Sequence, residues 1–266
     1  MTPKKSLGQN FLTSIPARLE IAKAGELSSS DTVLEIGPGK GFLTRALLDS
    51  GAKVVALEKD RELIPLLSET FSEEIKVGKL KIIEGDALEF DTVDLKREGE
   101  NFKLIANIPY YITGAIFSRY LSSVFPPSCM VVLIQKEVAE RIVARDEKES
   151  ILSLSVKVYG EPKIVYRVSR GSFHPIPNVD SAVLQIKNIS KKNFKNQNHE
   201  SHFFKVVRAG FSHKRKFLIS NLKEKIPEID WLEIFNKNNI NEKGRAEDLS
   251  LSTWLILSNE SLENQK

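Results

Sequence analysis

The most informative stretch of the chain covers residues 33–41 and reads Val-Leu-Glu-Ile-Gly-Pro-Gly-Lys-Gly. Its first four residues have the apolar character of a buried strand, and a helix-like segment follows the last glycine. Glycines let the backbone turn tightly and let a ligand approach closely, while the amino terminus of a helix offers unpaired N–H groups. The stretch therefore predicts a nucleotide-type binding loop, although a lone glycine-rich loop is weak evidence.

Short apolar runs alternate with amphipathic segments from Asp31 onward. The predicted strands are 33–36, 53–57, 80–83, 103–106 and 130–134, and the predicted helices between them include 42–48, 61–71 and 113–124. This alternation is typical of a doubly wound parallel sheet, which binds ligands at the carboxyl ends of its strands. A helix-like stretch at 135–144 precedes two β-patterned runs, 164–168 and 182–187, which we expect to complete the sheet as an antiparallel pair.

The chain changes character after Ile189. Residues 190–202 are polar and lack periodicity, so they predict a linker or a long loop. Four helical patterns follow, at 203–211, 215–225, 231–238 and 249–257. We therefore expect two domains: an α/β domain over residues 1–190 and a small all-helical domain over residues 191–266.

The composition is that of a soluble globular chain, with 266 residues of which 41% are hydrophobic and 28% are charged. The single cysteine, Cys129, cannot form an intramolecular disulfide, which indicates a reducing compartment, and we expect a cytoplasmic protein. No run approaches the ~20 apolar residues that a membrane span needs, and residues 1–10 lack an apolar signal core.

The net charge of +4 conceals a basic block. Residues 187–225 contain eleven Lys or Arg and two acids, a local charge of +9 that leaves −5 for the rest of the chain. A charge run is often only a solvated surface, so this block indicates a nucleic-acid partner only together with other signals.

Polar residues mark the ends of three later strands. Glu58 ends the second predicted strand, Asp86 follows the third, and Asn107 ends the fourth, so all three should face one crevice. An acid ~20 residues beyond the glycine loop can accept both ribose hydroxyls of an adenosine-containing cofactor, which suits Glu58. An NAD-binding domain fits these features too, but the G-x-G-x-G spacing and the sequence that follows the fourth strand argue against it.

That sequence reads Asn107-Ile108-Pro109-Tyr110. An exocyclic aromatic amine is a poor nucleophile because its lone pair is delocalised into the ring. Two acceptors, the side-chain oxygen of Asn107 and the backbone carbonyl of Ile108, would favour its pyramidal, electron-rich form as it attacks a methyl sulfonium. Pro109 stiffens the loop, and Tyr110 offers a flat surface on which a base can stack.

A second loop, at 173–181, reads Phe-His-Pro-Ile-Pro-Asn-Val-Asp-Ser. Its prolines make it rigid, and we expect it to aim Phe173 at the other face of the base. The alternative is that Phe173 fills the core beneath the loop.

Taken together, these residues resemble the ribosomal RNA adenine N6,N6-dimethyltransferases. The resemblance covers nearly the whole chain, through residues 8–12, 35–41, 58, 85–87, 107–110, 135–138, 173–181 and 244–247. It implies an α/β, Rossmann-like S-adenosylmethionine-dependent methyltransferase sheet with a small C-terminal all-helical domain. It implies that S-adenosylmethionine contacts Asn10, Leu12, Gly37, Glu58, Asp86 and Asn107, with Asp86 near the adenine. The residues alone would make 9–12 a flexible terminus, whereas the resemblance makes this segment a lid over the cofactor.

The resemblance also implies the substrate. It would be two adjacent adenosines in a hairpin near the 3′ end of small-subunit rRNA, each methylated twice within an assembling 30S particle. We expect no metal, because His199 and His202 have no further ligands nearby in the sequence. We expect no membrane partner and, since nothing indicates an obligate dimer, a monomer.

Residues 211–216 resemble a basic segment of the same family, with His213 where glutamine is expected and Ile219 where a further basic residue is common. The predicted phosphate contacts are Lys205, Arg208, Lys214, Arg215, Lys216, Lys223 and Lys225. Residues 149–154 also depart from the family, and we assign them no role.

Two other functions remain open. A relative that dimethylates one adenine of large-subunit rRNA shares both loops, although residues 135–141 and 245–249 favour the small-subunit enzyme. An RNA-binding assembly factor without methylation is the third possibility, and the intact Glu58, Asp86 and Asn107 argue against it.

Overall fold

In the computed structural model, residues 8–97 and 101–264 are described. The chain forms two compact units. One comprises the residues up to Ala139 together with Gly160–Ile189, and the other comprises Glu140–Tyr159 together with Ser190 and the residues after it. The expected break near residue 190 differs from this division in one segment, because residues 140–159 belong with the helical unit.

A seven-stranded sheet forms the centre of the first unit. The strands of this unit are β1 (Phe11–Leu12), β2 (Thr32–Ile36), β3 (Lys53–Glu58), β4 (Leu80–Glu84), β5 (Phe102–Asn107), β6 (Cys129–Gln135), β7 (Glu161–Val168), β8 (Phe173–His174) and β9 (Ser181–Lys187). The sheet order is β4-β3-β2-β5-β6-β9-β7, while β1 and β8 pair separately. The first five strands in this order, β4, β3, β2, β5 and β6, are parallel to one another. Strand β9 is antiparallel to both of its neighbours, β6 and β7. The predicted fold class and the predicted antiparallel pair are confirmed.

Helix α1 (Ile15–Ala24) precedes the parallel strands, and α6 (Lys136–Val143) follows the last of them. The helices that connect parallel strands are α2 (Phe42–Asp49), α3 (Leu63–Thr70), α4 (Ser72–Lys76) and α5 (Thr113–Leu121). All residues of β2, and six of the seven in β6, are buried, as expected of strands covered on both faces by helices. This continuous burial is why these strands are recognisable as nearly continuous apolar runs, interrupted in β2 by Glu35.

The second unit contains α7 (Ile151–Lys157), α8 (Gln197–Gly210), α9 (Leu218–Lys225), α10 (Trp231–Lys237) and α11 (Leu251–Glu263). Its core includes the fully buried side chains of Phe203, Trp231 and Trp254. Glycine is the only residue type that fits at position 210, since a Cβ added to Gly210 would lie 2.4 Å from the Trp254 ring.

One helix of this unit was not predicted. Ser150 caps α7, and its Oγ accepts a hydrogen bond from Ser153 N at 3.1 Å. The residues just before α7 are held by the tail segment 244–249. Glu149 N donates to Glu247 O at 2.7 Å, and Lys148 forms an ion pair with Glu247 at 2.8 Å. These contacts explain why residues 140–159 group with the tail.

The prediction of a linker over 190–202 is wrong in its second half. Helix α8 begins at Gln197, and Asn196 caps it by accepting a hydrogen bond from His199 N at 3.0 Å. His199, Glu200 and His202 are polar but buried. Their partners are polar as well, since Tyr159 and Lys191 bind Glu200, and His202 Nε2 lies 2.8 Å from the Ser261 hydroxyl. An apolar-periodicity criterion overlooks a helix turn that is buried in this way.

Within 8–97 and 101–264, no helix has both the length and the apolar character required to cross a bilayer. The predicted absence of a targeting signal concerns residues 1–10, of which 1–7 lie outside the described residues.

Candidate active site

A crevice opens at the carboxyl edge of the sheet, where β2 lies between β3 and β5. This is the position at which the strand order reverses, and such positions bind ligands in α/β sheets. The cavity measures about 530 Å³, which suits a small cofactor, and every residue lining it belongs to the first unit. The predicted residues that line it together are Asn10, Leu12, Gly37, Glu58, Asp86, Asn107, Ile108, Pro109 and Tyr110.

The glycine turn between β2 and α2 adopts backbone angles that favour glycine. The φ angles are +65° at Gly37, +60° at Gly39 and +79° at Gly41. A Cβ on Gly41 would lie 2.3 Å from the Phe71 ring, whereas a Cβ on Gly37 would have nothing within 4 Å. Gly41 is thus required by packing, and Gly37 leaves space in the crevice that it lines.

Glu58, at the end of β3, fastens the glycine turn to the sheet. Its Oε2 accepts a hydrogen bond from Gly39 N at 3.1 Å, and its Oε1 accepts one from Asp60 N at 2.8 Å. Burial raises the pKa of this carboxyl group, against the effect of these two bonds. Each oxygen keeps acceptor capacity for a further donor, such as a ribose hydroxyl.

Glu35 is a site residue to which the sequence analysis gave no role. It is only 1% exposed, lines the crevice, and neither of its carboxylate oxygens has a hydrogen-bond partner among the described residues. Burial raises its pKa to about 8, and the charge of Glu58 acts in the same direction, while the nearby Thr44 hydroxyl acts against both. A buried acid without partners at the wall of a crevice fits a ligand that brings a donor or a cation. An acid inside an otherwise apolar strand is the signal in the sequence that could have identified it.

Asp86 occupies the far side of the same crevice. Its Oδ2 accepts a hydrogen bond from Lys59 Nζ at 2.7 Å, and its Oδ1 accepts one from Leu88 N at 2.9 Å. The bond from Lys59 lowers the pKa of Asp86, with help from the Leu88 amide. The carboxylate is therefore held ionised and oriented at the end of β4.

The amide of Asn107 is oriented by the backbone. Its Nδ2 donates to the carbonyl oxygen of Asn10 at 3.1 Å. A carbonyl can only accept, so the nitrogen must face Asn10, and Oδ1 is left on the other side of the amide as an acceptor. The adjoining Ile108 is anchored by its own N–H, which donates to Leu133 O at 3.3 Å.

The segment from Gly8 to Thr13 is ordered by specific contacts. Strand β1 pairs with β8, so that Phe11 lies opposite His174 and Leu12 opposite Phe173. Thr13 N donates to Ser172 O at 2.8 Å, and Gln9 Nε2 donates to Asp60 Oδ2 at 2.9 Å. The residue-based expectation of a flexible terminus is wrong, because partners distant in sequence hold the segment along the crevice.

Phe173 departs from its predicted position. Its side chain is 3% exposed, belongs to the apolar core and does not line the crevice. The pairing with Leu12 directs it inward, so this structure gives Phe173 a packing role instead of a face for a base. The next residue, His174, lines the crevice instead, although its sequence context predicted no role for it.

In the second unit, the predicted RNA-contacting residues are all exposed. Some of them are paired with acids: Lys205 with Glu228 at 3.2 Å, and Lys216 and Lys225 with Glu224 at 2.9 and 3.1 Å. Ile219, which stands where the family often has a basic residue, is buried. Its apolar character therefore suits its packing.

Among the residues in the described ranges, no group of three His, Cys, Asp or Glu is arranged to hold a metal ion. The sequence model of the family described as ribosomal RNA adenine dimethylase matches residues 1–262. The chain belongs to the ribosomal RNA adenine dimethylase family. This dimethylase is accordingly an S-adenosylmethionine-dependent rRNA adenine dimethyltransferase, as predicted.

Its relatives agree with this assignment. The dimethylase is 40% identical to "Ribosomal RNA small subunit methyltransferase A" of Ligilactobacillus salivarius, over 97% of this chain and 90% of that protein. It is 38% identical to the protein of the same name from Fusobacterium nucleatum, over 96% of each chain. Among solved structures, it is similar to a dimethyladenosine transferase from Plasmodium falciparum, with a TM-score of 0.82, 26% identity and coverage of 96% of this chain and 98% of that one.

A 23S rRNA methyltransferase, ErmE, has the same fold. Its TM-score is 0.75 at 24% identity, over 95% of this chain and 99% of that one. A shared fold leaves the choice of RNA open, because function depends on the site and its surroundings.

Proposed function

We propose that this dimethylase transfers methyl groups from S-adenosylmethionine to the N6 atoms of adenosines in small-subunit rRNA. The observation that carries the proposal is the Asn107 amide, whose nitrogen is bonded to Asn10 O at 3.1 Å at the wall of the crevice. The names of the curated relatives support the small-subunit substrate.

Different residues of the crevice would contact different parts of the cofactor. Glu58 would accept the ribose hydroxyls, Asp86 would lie near the adenine, and Gly37 would allow close approach of the ligand to the backbone. Asn10 and Leu12 would cover the cofactor from the amino-terminal segment. The carboxyl group of Glu35, which has no hydrogen-bond partner among the described residues, fits a ligand that brings a donor or a cation, and the open space at Gly37 leaves room for that ligand. S-adenosylmethionine supplies the electrophilic methyl group.

The protein activates the amine by orienting it. Asn107 Oδ1 and the Ile108 carbonyl would accept hydrogen bonds from the two N6 protons, which localises the nitrogen lone pair and stabilises the positive charge that develops. These two acceptors would hold N6 in place while its new bond to the methyl carbon replaced the carbon–sulfur bond of the cofactor, and N6 would then lose a proton to solvent. Tyr110 would stack on the base and Pro109 would keep the acceptors in place. A second round on the monomethylated base gives the dimethyl product.

The substrate would be two adjacent adenosines in a hairpin near the 3′ end of the rRNA, in an assembling 30S particle. The exposed cations Lys205, Arg208, Lys214, Arg215, Lys216 and Lys223 would contact phosphates, with Lys225 adding to them. The enzyme would act in the cytoplasm as a monomer and without a metal ion.

The experiment incubates the purified protein and labelled S-adenosylmethionine with unmethylated small-subunit and large-subunit particles separately, and maps the modified nucleosides by mass spectrometry. Dimethyladenosine at two adjacent positions of small-subunit rRNA is expected. Label in large-subunit rRNA would instead assign the chain to that substrate, and RNA binding without transfer would indicate an assembly factor.

A further inference from the structure

The hydroxyl groups of Tyr110 and Ser181 lie 2.7 Å apart. Tyr110 begins a short 3-10 helix, Tyr110–Ile112, directly after the Asn107 loop, and its ring lines the crevice. Ser181 is the first residue of β9 and is fully buried. The bond therefore connects the edge of the crevice to a position inside the sheet, 71 residues further along the chain.

Sheet topology explains how these residues meet. Strand β9 runs antiparallel to β6, so its first residue lies at the edge where the parallel strands end. Ser181 pairs there with Gln135, the last residue of β6, and β6 in turn pairs with β5, which leads into the Asn107 loop. An amino-terminal strand position is thus brought to the carboxyl edge that forms the ligand site.

The surroundings of Ser181 are rigid. The preceding residue, Asp180, accepts hydrogen bonds from two other segments: its carbonyl oxygen from Lys136 N at 3.0 Å, and its Oδ1 from Arg170 N at 2.9 Å. On the other side of β9, Ser181 pairs with Val168 of β7. A hydroxyl fixed in this way can hold its partner in one place.

The hydrogen bond to Ser181 makes Tyr110 different from its neighbour Tyr111. Tyr111 is 63% exposed, and its ring lies beside Gly8, where an added Cβ would be 3.0 Å away. The ring of Tyr110 is half-buried and its hydroxyl is held by Ser181. An aromatic side chain has two rotatable torsions, and the tyrosine hydroxyl lies on the axis of the second, so a bond there fixes the direction of the ring axis and the position of its far end.

We propose that Ser181 is a positioning residue for methyl transfer, because its hydroxyl holds the far end of the Tyr110 ring at the position where the target adenine stacks. This inference rests on the proposed function, which stacks the adenine on Tyr110. Ser181 acts through Tyr110, and its contribution is to keep the stacked base in register with the acceptors at Asn107 and Ile108.

The kinetic test uses three variants, Ser181→Ala, Tyr110→Phe and the double variant. The single-turnover rate of methyl transfer should fall roughly three- to tenfold in each single variant, the range expected for removing one hydrogen bond. The double variant should fall no further than either one, because both changes remove the same bond. The dissociation constant for S-adenosylmethionine should stay at the wild-type value in all three.

Ser128→Ala is the matched control. Its hydroxyl also bonds within this sheet, donating to Phe102 O at 3.1 Å, but at the first residue of β5 and therefore at the opposite edge. It removes the same atom from the same unit, and the transfer rate should remain that of the wild type.

A second measurement does not depend on catalysis. The chain has five tyrosines, so protein labelled with 3-fluorotyrosine gives few 19F signals, and Tyr110→Phe assigns the one of interest. In Ser181→Ala this signal should move towards the position of an exposed tyrosine. The Tyr111 signal, assigned with Tyr111→Phe, should stay where it is.

The proposal is overturned if Ser181→Ala transfers methyl groups at the wild-type rate, if the two single losses add in the double variant, or if the Tyr110 signal does not move. If the wild-type protein transfers no methyl group to adenosine N6, the proposed function fails and so does this role in it. The fluorine spectra then still report separately whether Ser181 holds the ring.

Discussion

An asparagine amide can present either its oxygen or its nitrogen to a substrate, and only the oxygen can accept a hydrogen bond from an adenine amine. In this dimethylase the carbonyl of Asn10 makes that choice, since it accepts from Asn107 Nδ2 at 3.1 Å. A backbone contact from the amino-terminal segment is thereby part of the chemistry proposed for a loop almost a hundred residues later.

Replacing this side chain should affect transfer more than binding. We expect Asn107→Ala to lower methyl-transfer turnover by about 10²-fold or more, as for the removal of one preorganised group, with RNA affinity nearly unchanged. Turnover with labelled S-adenosylmethionine and filter binding of RNA measure the two quantities. Unchanged turnover would remove Asn107 from the mechanism.

Glu35 should make the stability of the cofactor-free protein depend on pH. Burial raises its pKa to about 8 from the ordinary 4.5, so between these values the folded state keeps a proton that the unfolded chain releases. The unfolding free energy then falls as pH rises through this window, by up to about 1.4 kcal/mol per pH unit from this group. Below the window both states are protonated, and the contribution is constant.

The matching variant is Glu35→Gln, which keeps the shape and removes the titration. Urea unfolding between pH 5 and pH 8 should show a smaller fall of stability in Glu35→Gln than in the wild type. Equal slopes in the two proteins would mean that Glu35 is ionised in the folded state.

At the level of the element, the turn from β2 to α2 uses glycines for two different reasons. Gly41, at a φ of +79°, starts α2 against Phe71, whereas Gly37, at a φ of +65°, borders open space in the crevice. Gly41 is therefore needed for packing, and Gly37 for binding of the ligand.

Two alanine variants should separate these reasons. Gly41→Ala should destabilise the protein by about 2 kcal/mol or more, because it adds a clash to the strain of a positive φ. Gly37→Ala should cost only about 1 kcal/mol in stability, but it should weaken binding of S-adenosylmethionine more than Gly41→Ala does. Thermal unfolding and calorimetric titration measure the two effects, and the reverse order of effects would refute the assignment.

At the level of the whole molecule, charge is divided unevenly along the sequence, with +9 in residues 187–225 and −5 elsewhere. Part of this positive charge is paired with Glu224 and Glu228. Lys214 and Arg215 are both exposed, which makes them the sharpest probes of the proposed RNA contacts.

Reversing their charges should weaken RNA binding. We expect Lys214→Glu with Arg215→Glu to reduce affinity and to lower the salt slope by about 0.7–0.9 for each phosphate that the variant no longer neutralises. Lys237→Glu with Lys243→Glu changes the charge equally outside the basic block and should have less effect. Identical salt slopes for both pairs would place the RNA-binding surface elsewhere.

A substitution at Glu224 should have the opposite effect and raise RNA affinity. It accepts from Lys216 and Lys225, and these bonds lower its pKa to about 2. Glu224→Gln should release both cations for phosphate and so raise RNA affinity at low salt, as measured by the same binding assay. Affinity equal to that of the wild type would show that these two lysines do not contact RNA.

Much of the molecule follows from local sequence. The buried strands are recognisable because burial on both faces favours nearly continuous apolar runs, and the glycine turn because few other residues adopt its backbone angles. The acids and the amide at strand ends could be assigned to one crevice, because parallel strands end at the same edge of a sheet. The residues alone favoured a methyl sulfonium donor over NAD, and the family resemblance implied that this donor is S-adenosylmethionine.

The remaining features depend on partners distant in sequence. Pairing with Leu12 turned Phe173 into the core, and contacts to Asn107 and Asp60 ordered a segment that resembles a flexible terminus. Near the start of α8, Glu200 and His202 are polar yet buried, and each finds a partner on another segment. Local sequence determined which elements form, because periodicity and backbone preference act within a few residues. Tertiary structure decided which side chains face the site, because that depends on what lies opposite each of them.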